Sequence, residues 1–380
     1  MKKHWEQIKL ADLFELQMGK TPAREKDQYW KNGDNKWVSI ADIGKFLRYT
    51  DETKEKITDI AISESGIKQV PKNTLIMSFK LSLGKVAITS EPIYTNEAIM
   101  AFIDRKKRPL SLTFLFHLFK NKDWSAGTNK AVLGMTLNKA TLKEISIPVP
   151  PLPEQEEIAQ KLDAVCRLIT LREQQLQKLD QLASSRFIEM FGDPVTNPRE
   201  WETLSLDKLG ELNRGVSKAR PRNSPDLLGG IYPLVQTGEV SNSDTYITNF
   251  EQTYSEKGLA QSKMWQAGTL CITIAANIAQ TAILTFDACF PDSVVGFVAN
   301  DKTKQLFIHY WFKFFQKILD EQAPQVAQKN INLKILRELQ VIVPPKPLQD
   351  EFCRFIEQLD KSKVICNKMH KMVEFSLFRV

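Results

Sequence analysis

The chain repeats itself, and a repeated chain builds one fold twice. WEQIKLADLFEL (Trp5–Leu16) returns as WETLSLDKLGEL (Trp201–Leu212) 196 residues later, and a glycine follows each copy, Gly19 and Gly215. TLIMSF (Thr74–Phe79), followed by GKVAIT, answers to TLCITI (Thr269–Ile274), followed by AQTAIL, at an offset of 195 that Phe102 and Phe297 also keep. ISIPVPPLPEQEEI (Ile145–Ile158) matches LQVIVPPKPLQDEF (Leu339–Phe352) at an offset of 194. Three matches in one order with a nearly constant offset mark a duplication. A length of 380 residues leaves each copy room for one domain and a connecting element.

Each copy follows one plan. Residues 1–150 and 196–345 read as mixed α/β globular domains, and 151–195 and 346–380 as helical spacers. TLIMSF, KVAIT, TLCITIA and TAILTF have strand length and β-branched content. The aromatic segments LTFLFHLFKN (112–121) and LFIHYWFKFFQK (306–317) read as helices buried on those strands. The joints IPVPPLPEQ and VIVPPKPLQ read as edge strands stopped by proline, with a helix starting near Pro153 and Pro347. Beyond the first joint, Ile158, Leu162, Val165, Ile169, Arg172, Leu176, Leu179 and Ala183 step by four and three, an a/d heptad seam. Phe352, Ile356, Leu359, Lys363, Cys366, His370, Val373 and Leu377 keep that register with more polar members. FGDPVTNP (191–198) ends the first helix. A lone apolar-striped helix is marginal in water, so each needs a partner, and the duplicate is at hand. The expected architecture is two similar domains joined by two long helices that pair as an antiparallel coiled coil.

Composition narrows the function. A chain that is 42% hydrophobic and 26% charged is neither disordered nor fibrous. Lys and Arg outnumber Asp and Glu by 25 to 17 over residues 1–150 but only equal them, 15 to 15, over 196–345. A basic first third suits a polyanion. Cys166, Cys271, Cys289, Cys353 and Cys366 show no CxxC spacing, which suits free thiols in a reducing compartment rather than a metal cluster. The charged start and the lack of a long apolar run suit a cytoplasmic protein without a membrane span.

Catalytic signatures are missing: no phosphate-binding glycine loop, zinc-protease helix or nucleophile elbow is written in the chain. TNPRE (196–200) starts like an amino-methyltransferase motif, but Arg199 and Glu200 stand in the wrong places, and DETKEK (51–56) reads as a charged loop rather than a nuclease site. The polar residues that recur suit nucleic acid. GKTPAREK and GVSKARPR hold equivalent places and carry Lys20, Arg24, Lys26, Lys218, Arg220 and Arg222. FKLSLGK and AANIAQ add Lys80, Ser82, Lys85, Asn277 and Gln280 beside the repeated strands. Arg and Lys serve phosphates and guanine, and Asn and Gln pair with adenine.

These segments resemble the specificity subunit of type I restriction-modification systems. IPVPPLPEQEEI with its long helix and FGDP, and the second VIVPPKPLQDEF, look like that family's helical spacers. GKTPAR, SFKLSLGKVAI, GTLCITIAANIAQTAILTF and QKNINLKIL resemble its target-recognition domains, and the likeness spans the chain. The resemblance implies a non-catalytic reader of a bipartite, asymmetric double-stranded DNA target. It implies two adenine methyltransferase subunits carrying S-adenosylmethionine, and two restriction subunits using ATP and Mg, with no cofactor in this chain. A subunit of a methylation-only system and a coiled-coil scaffold binding protein or saccharide are the alternatives.

Overall fold

The computed structural model describes residues 5–80, 82–124, 129–131, 134–275, 278–314 and 331–377. Packing divides the chain into two compact units, Met1–Ile169 with Val373–Val380, and Thr170–Met372.

In the first unit an antiparallel sheet has the strand order Phe14–Met18, Ile99–Asp104, Leu75–Ser78, Val86–Ile88. In the second the order is Gly210–Arg214, Val294–Ala299, Leu270–Thr273, Thr281–Leu284, with Tyr246–Ile247 added at the edge. The repeat holds residue by residue. Phe102 lies between Leu16 and Leu75, and Phe297 between Leu212 and Leu270. Leu75 and Leu270 face Ile88 and Ile283 on their other sides.

All four residues of Leu75–Ser78 and of Leu270–Thr273 are buried because both faces of the sheet are covered. Leu75 and Met77 meet Phe114, Leu115 and Phe119 of the helix Leu112–Asn121, while Ile76 turns to Val38 and Ile43 of a smaller layer. Leu270 and Ile272 likewise meet Phe307 and Trp311 of the helix Gln305–Phe312, while Cys271 faces Val235 and Val240. A strand covered on both faces reads as a continuous apolar run, which explains LIM and LCI. Residues 315–317 of the second aromatic segment lie outside the described residues.

The joints close each domain on itself. Glu6–Lys9 pairs antiparallel with Ser146–Val149, and Thr203–Ser205 with Gln340–Ile342. Long helices follow, Leu152–Phe191 and Lys346–Leu377. A fully buried glutamine fastens each to its domain. Gln155 donates to the Pro150 and Pro109 carbonyls (2.8 and 3.3 Å) and accepts from the Ser111 backbone N–H (2.8 Å). Gln349 donates to Pro344 and Lys302 (2.9 and 3.1 Å) and accepts from the Thr303 hydroxyl (3.1 Å).

Along the first long helix Leu162 and Ala183 are buried, and Ile158, Val165, Ile169, Arg172, Leu176 and Leu179 are half-buried. Leu168, Leu171 and Leu182, off that stripe, are about half exposed. On the second helix Phe352, Ile356, Leu359, Lys363 and Cys366 are buried, whereas the side chains of His370, Val373 and Leu377 lie outside the description. Within the second unit the helices run antiparallel. Arg186 bonds Glu351 (2.9 Å), Asp180 bonds Lys363 (2.5 Å), and the Cys366 thiol lies 3.9 Å from the Arg172 carbonyl, so numbers fall on one helix as they rise on the other. Phe187 and Phe191 pack edge-on to Phe352, each at 5.5 Å.

The first long helix stops at Gly192 (φ +78°), a left-handed position that glycine adopts without strain. The TNPRE string completes the stop. Arg199 donates to the Glu189 carbonyl (2.7 Å), Asn197 brackets the Trp201 backbone, and the Trp201 indole donates to the Phe191 carbonyl (2.8 Å).

Candidate functional site

The candidate loops spring from matched points of the frame. A Cβ on Gly19 would come within 2.2 Å of the Thr95 and Asn96 carbonyl oxygens, and one on Gly215 within 2.2 and 2.4 Å of those of Phe290 and Pro291. Only glycine fits where each loop leaves its strand beside a second backbone.

In the first loop the Arg24 guanidinium lies 3.9 Å from the Trp30 ring centre and 4.8 Å from that of Trp37, and it bonds both oxygens of Glu55 (2.5 and 3.2 Å). The Lys26 ammonium donates to the Tyr29 hydroxyl (2.7 Å) and Glu64 (3.2 Å), and these bonds raise its pKa. Lys20 donates to the Ser65 carbonyl. Such exposed pairs are weak, so a phosphate can draw these cations away from their carboxylates.

The tip between Leu75–Ser78 and Val86–Ile88 carries the next group. Lys80 sits 5.3 Å from the Phe79 ring centre, and the Ser82 N–H bonds the Lys80 carbonyl (2.8 Å). The Lys85 ammonium rests against Gly44, 2.6 Å from where a Cβ would stand.

In the second unit Arg222 bonds both oxygens of Asp292 (2.6 and 2.9 Å), and Arg220 approaches the same carboxylate at 3.9 Å while donating to the Ser217 and Ala219 carbonyls. Lys218 is exposed with no ion-pair partner among the described residues. Gln280 is exposed beyond its backbone bond to the Thr273 hydroxyl, and Asn277 lies outside the described residues.

Motif reading missed a polar hollow of about 130 Å³ in the second unit, whose lining includes Ser217, Arg222, Asn223, Gln236 and Gln252. The Gln236 amide donates to Gln252 (3.0 Å), and the buried Ser217 hydroxyl has no partner among the described residues. The frame relates Gln236 to Ser39, since Glu239 and Asp42 each accept from the backbone N–H of that residue (3.0 Å). Strand order relates Gln252 to Glu55. At one framework place, then, the first domain holds a charged Arg24–Glu55 pair over two tryptophans, and the second holds paired glutamines. Both pairs are 197 residues apart, one more than Trp5 and Trp201, so the offset of the matched strands does not by itself align them.

No group of three or more His, Cys, Asp or Glu among the described residues is arranged to hold a metal ion. No described helix is long and apolar enough to cross a membrane. The five cysteines are unpaired, and burial pushes the thiol of Cys353 up to about 11 and that of Cys271 higher still.

The model of the type I restriction modification DNA specificity domain matches this chain twice, over residues 2–181 and 198–374. The type I restriction enzyme MjaIX specificity subunit of Methanocaldococcus jannaschii is 25% identical, with 98% of this chain and 90% of that protein aligned. The EcoBI specificity subunit of Escherichia coli is 22% identical over 77% of this chain and 67% of its own length. Among solved structures, a chain from work on complex assembly and conformational transition of the type I R-M system superposes with a TM-score of 0.63 at 16% identity, covering 99% of this chain and 95% of that one. The S subunit from M. genitalium gives 0.55 at 15% identity, covering 100% and 95%. A duplicated frame, two paired long helices and two matches to one domain model lead to one conclusion: the chain belongs to the type I restriction-modification DNA specificity family and carries two copies of its domain.

Proposed function

We propose that this specificity subunit is the non-catalytic reader of its complex, in the cytoplasm, with one domain for each half of a bipartite, asymmetric double-stranded DNA target. The observation that carries the reading is one hydrophobic frame bearing two different sets of polar loops. Identical loops would read a repeated half-site, and these are not identical. Lys20, Arg24, Lys26, Lys80, Ser82 and Lys85 meet DNA from the first domain. Lys218, Arg220, Arg222, Asn277 and Gln280 do so from the second, with Asn223 and Gln252 beside them. Ile158, Leu162, Val165, Ile169, Leu176 and Leu179 pair with Phe352, Ile356, Leu359 and Val373 to make the spacer between domains 1–150 and 196–345. Two adenine methyltransferase subunits holding S-adenosylmethionine dock on it, and two restriction subunits using ATP and Mg join them in the restricting form.

The test is co-purification of the chain with its methyltransferase partner, followed by mapping of adenine methylation on genomic DNA. The expected result is one gapped, two-part motif that vanishes when this chain is omitted. A complex that neither retains nor methylates DNA at low salt overturns the reading and favours a protein-binding scaffold. Four residues added to both helices lengthen them by roughly 6 Å. That insertion should add one or two base pairs to the gap at about 3.4 Å each, with both half-sites unchanged.

A further inference from the structure

One position of the smaller layer is the same in both domains and carries different chemistry in each. Trp37 pairs antiparallel with Glu55 on one side and parallel with Tyr94 on the other, and Leu234 pairs antiparallel with Gln252 and parallel with Cys289. Gln252 therefore stands where the first domain has Glu55. The arginines change with it. Arg24 and Arg220 each come five residues after the loop glycine, Gly19 or Gly215. Arg24 takes both oxygens of Glu55 (2.5 and 3.2 Å). Arg220 has no carboxylate at 252 to take and donates to the Ser217 and Ala219 carbonyls (2.7 and 2.8 Å).

Gln236 supplies the hydrogen bond instead, donating to the Gln252 Oε1 at 3.0 Å. The Gln236 backbone N–H is itself held by Glu239 (3.0 Å), so the support is fixed. An amide oxygen has two lone pairs and an amide nitrogen two hydrogens. Gln236 uses one lone pair, and the Gln252 side chain makes no other hydrogen bond among the described residues. Exposed and held in this way, Gln252 presents an acceptor and a donor side by side.

That fork matches one base. Adenine shows an N6 amino donor beside the N7 acceptor in the major groove. Guanine shows two acceptors there and would set one against Oε1, while cytosine offers a donor and thymine an acceptor. A phosphate has acceptors alone and would use only half of the fork. The hollow that Gln236 and Gln252 help to line also holds the Ser217 hydroxyl, 7% exposed and without a partner among the described residues. It gives a base edge a further hydrogen-bonding point through a bridging water.

We infer that Gln252 reads an adenine in the half-site of the second domain, and that Gln236 is a positioning residue that holds the Gln252 amide for that contact. This rests on the DNA-reading function proposed above and adds to it one base at one residue.

The experiment uses the full chain with its methyltransferase subunits. Duplexes carrying the two-part motif, with one base pair of either half-site randomised at a time, are passed over the immobilised complex, and those retained are sequenced. Among the adenines that wild type favours in the second half-site, by about tenfold or more, one should lose its advantage in Gln252→Ala, with every position of the first half-site unchanged. Gln252→Glu, which can only accept, should move the preference at that position to cytosine, whose N4 amino group donates. Gln236→Met keeps the side-chain length and removes the donor. It should weaken the same adenine preference by about threefold or more while retention of the other duplexes holds within about twofold. Unchanged preferences in Gln252→Ala, a loss at a base other than adenine, adenine still favoured in Gln252→Glu, or a Gln236→Met effect equal for all sequences would each overturn the assignment while leaving the DNA-reading function standing. A wild type that retains no duplex above the rest overturns that function, and this inference with it.

Discussion

The two recognition domains share their interiors and differ at their surfaces. Phe102 and Phe297 sit in the same register between the same pair of leucines, and Gln155 and Gln349 fasten the two joints with three hydrogen bonds each. Outside that frame Glu55, paired with Arg24, gives way to Gln252, paired with Gln236, and the ion pair to the following long helix is Arg48–Asp163 in one domain and Asp244–Lys363 in the other. Packing density penalises change in the frame by kilocalories, while an exposed loop tolerates it at a few tenths. Duplication has thus kept what folds and left free what reads.

The comparison can be attacked first at its shared part. Phe102→Ala and Phe297→Ala, at buried and equivalent sites, should each cost about 3–5 kcal/mol, measured by denaturant unfolding with hydrogen exchange to locate the loss. A difference beyond about 2 kcal/mol between them would break the equivalence of the two cores. Next come the joints. Gln155→Leu or Gln349→Leu strands buried carbonyls and should cost about 2–3 kcal/mol, with raised amide exchange at the start of the matching helix only.

A third test sharpens the difference. Burial holds His309 down at about 3 and pushes the Asp360 carboxyl up to about 6. The unfolded imidazole takes a proton below about pH 6.5 that the folded one refuses, so the His309 contribution is lost as pH falls. Asp360 has the opposite sign, since its folded carboxyl protonates before the unfolded one and acid stabilises it. Between pH 6 and 4 the two offset each other in the second domain. In the first domain burial lowers His117, while bonds to Arg48 and His117 lower Asp163. Asp360→Asn should therefore steepen acid destabilisation by about 1.4 kcal/mol per pH unit in that window, read from urea titrations; an unchanged slope rejects the compensation. Smallest of all, Leu171→Ser and Ile365→Ser, both outside the seam and more than half or about half exposed, should shift stability by less than about 0.5 kcal/mol.

The frame was legible because apolar spacing and proline joints are local signals that survive duplication. The strands at Leu75 and Leu270, both aromatic helices and the two long helices follow from runs and heptads alone. The contacts among the loops were not legible. Nothing near Arg24 in sequence announces Glu55, and nothing near Lys363 announces Asp244, because these partners meet only after the sheet brings distant loops together. Lys363 reads as a dilution of the seam until its carboxylates are seen. Gln155 and Gln349 lay inside a recognised motif, yet their role needs the Pro109 and Lys302 carbonyls, some 46 residues away in the chain.

Because the first and last strands of each domain lie side by side, with Ile8 opposite Ile147 and Leu204 opposite Val341, the chain enters and leaves each domain through a single doorway. A stretch of coding sequence bounded by those two strands can be replaced by another without stretching or rethreading the rest. Inheritance can therefore treat each domain as a cartridge, and a new target can arise in one recombination event rather than by a long series of point changes.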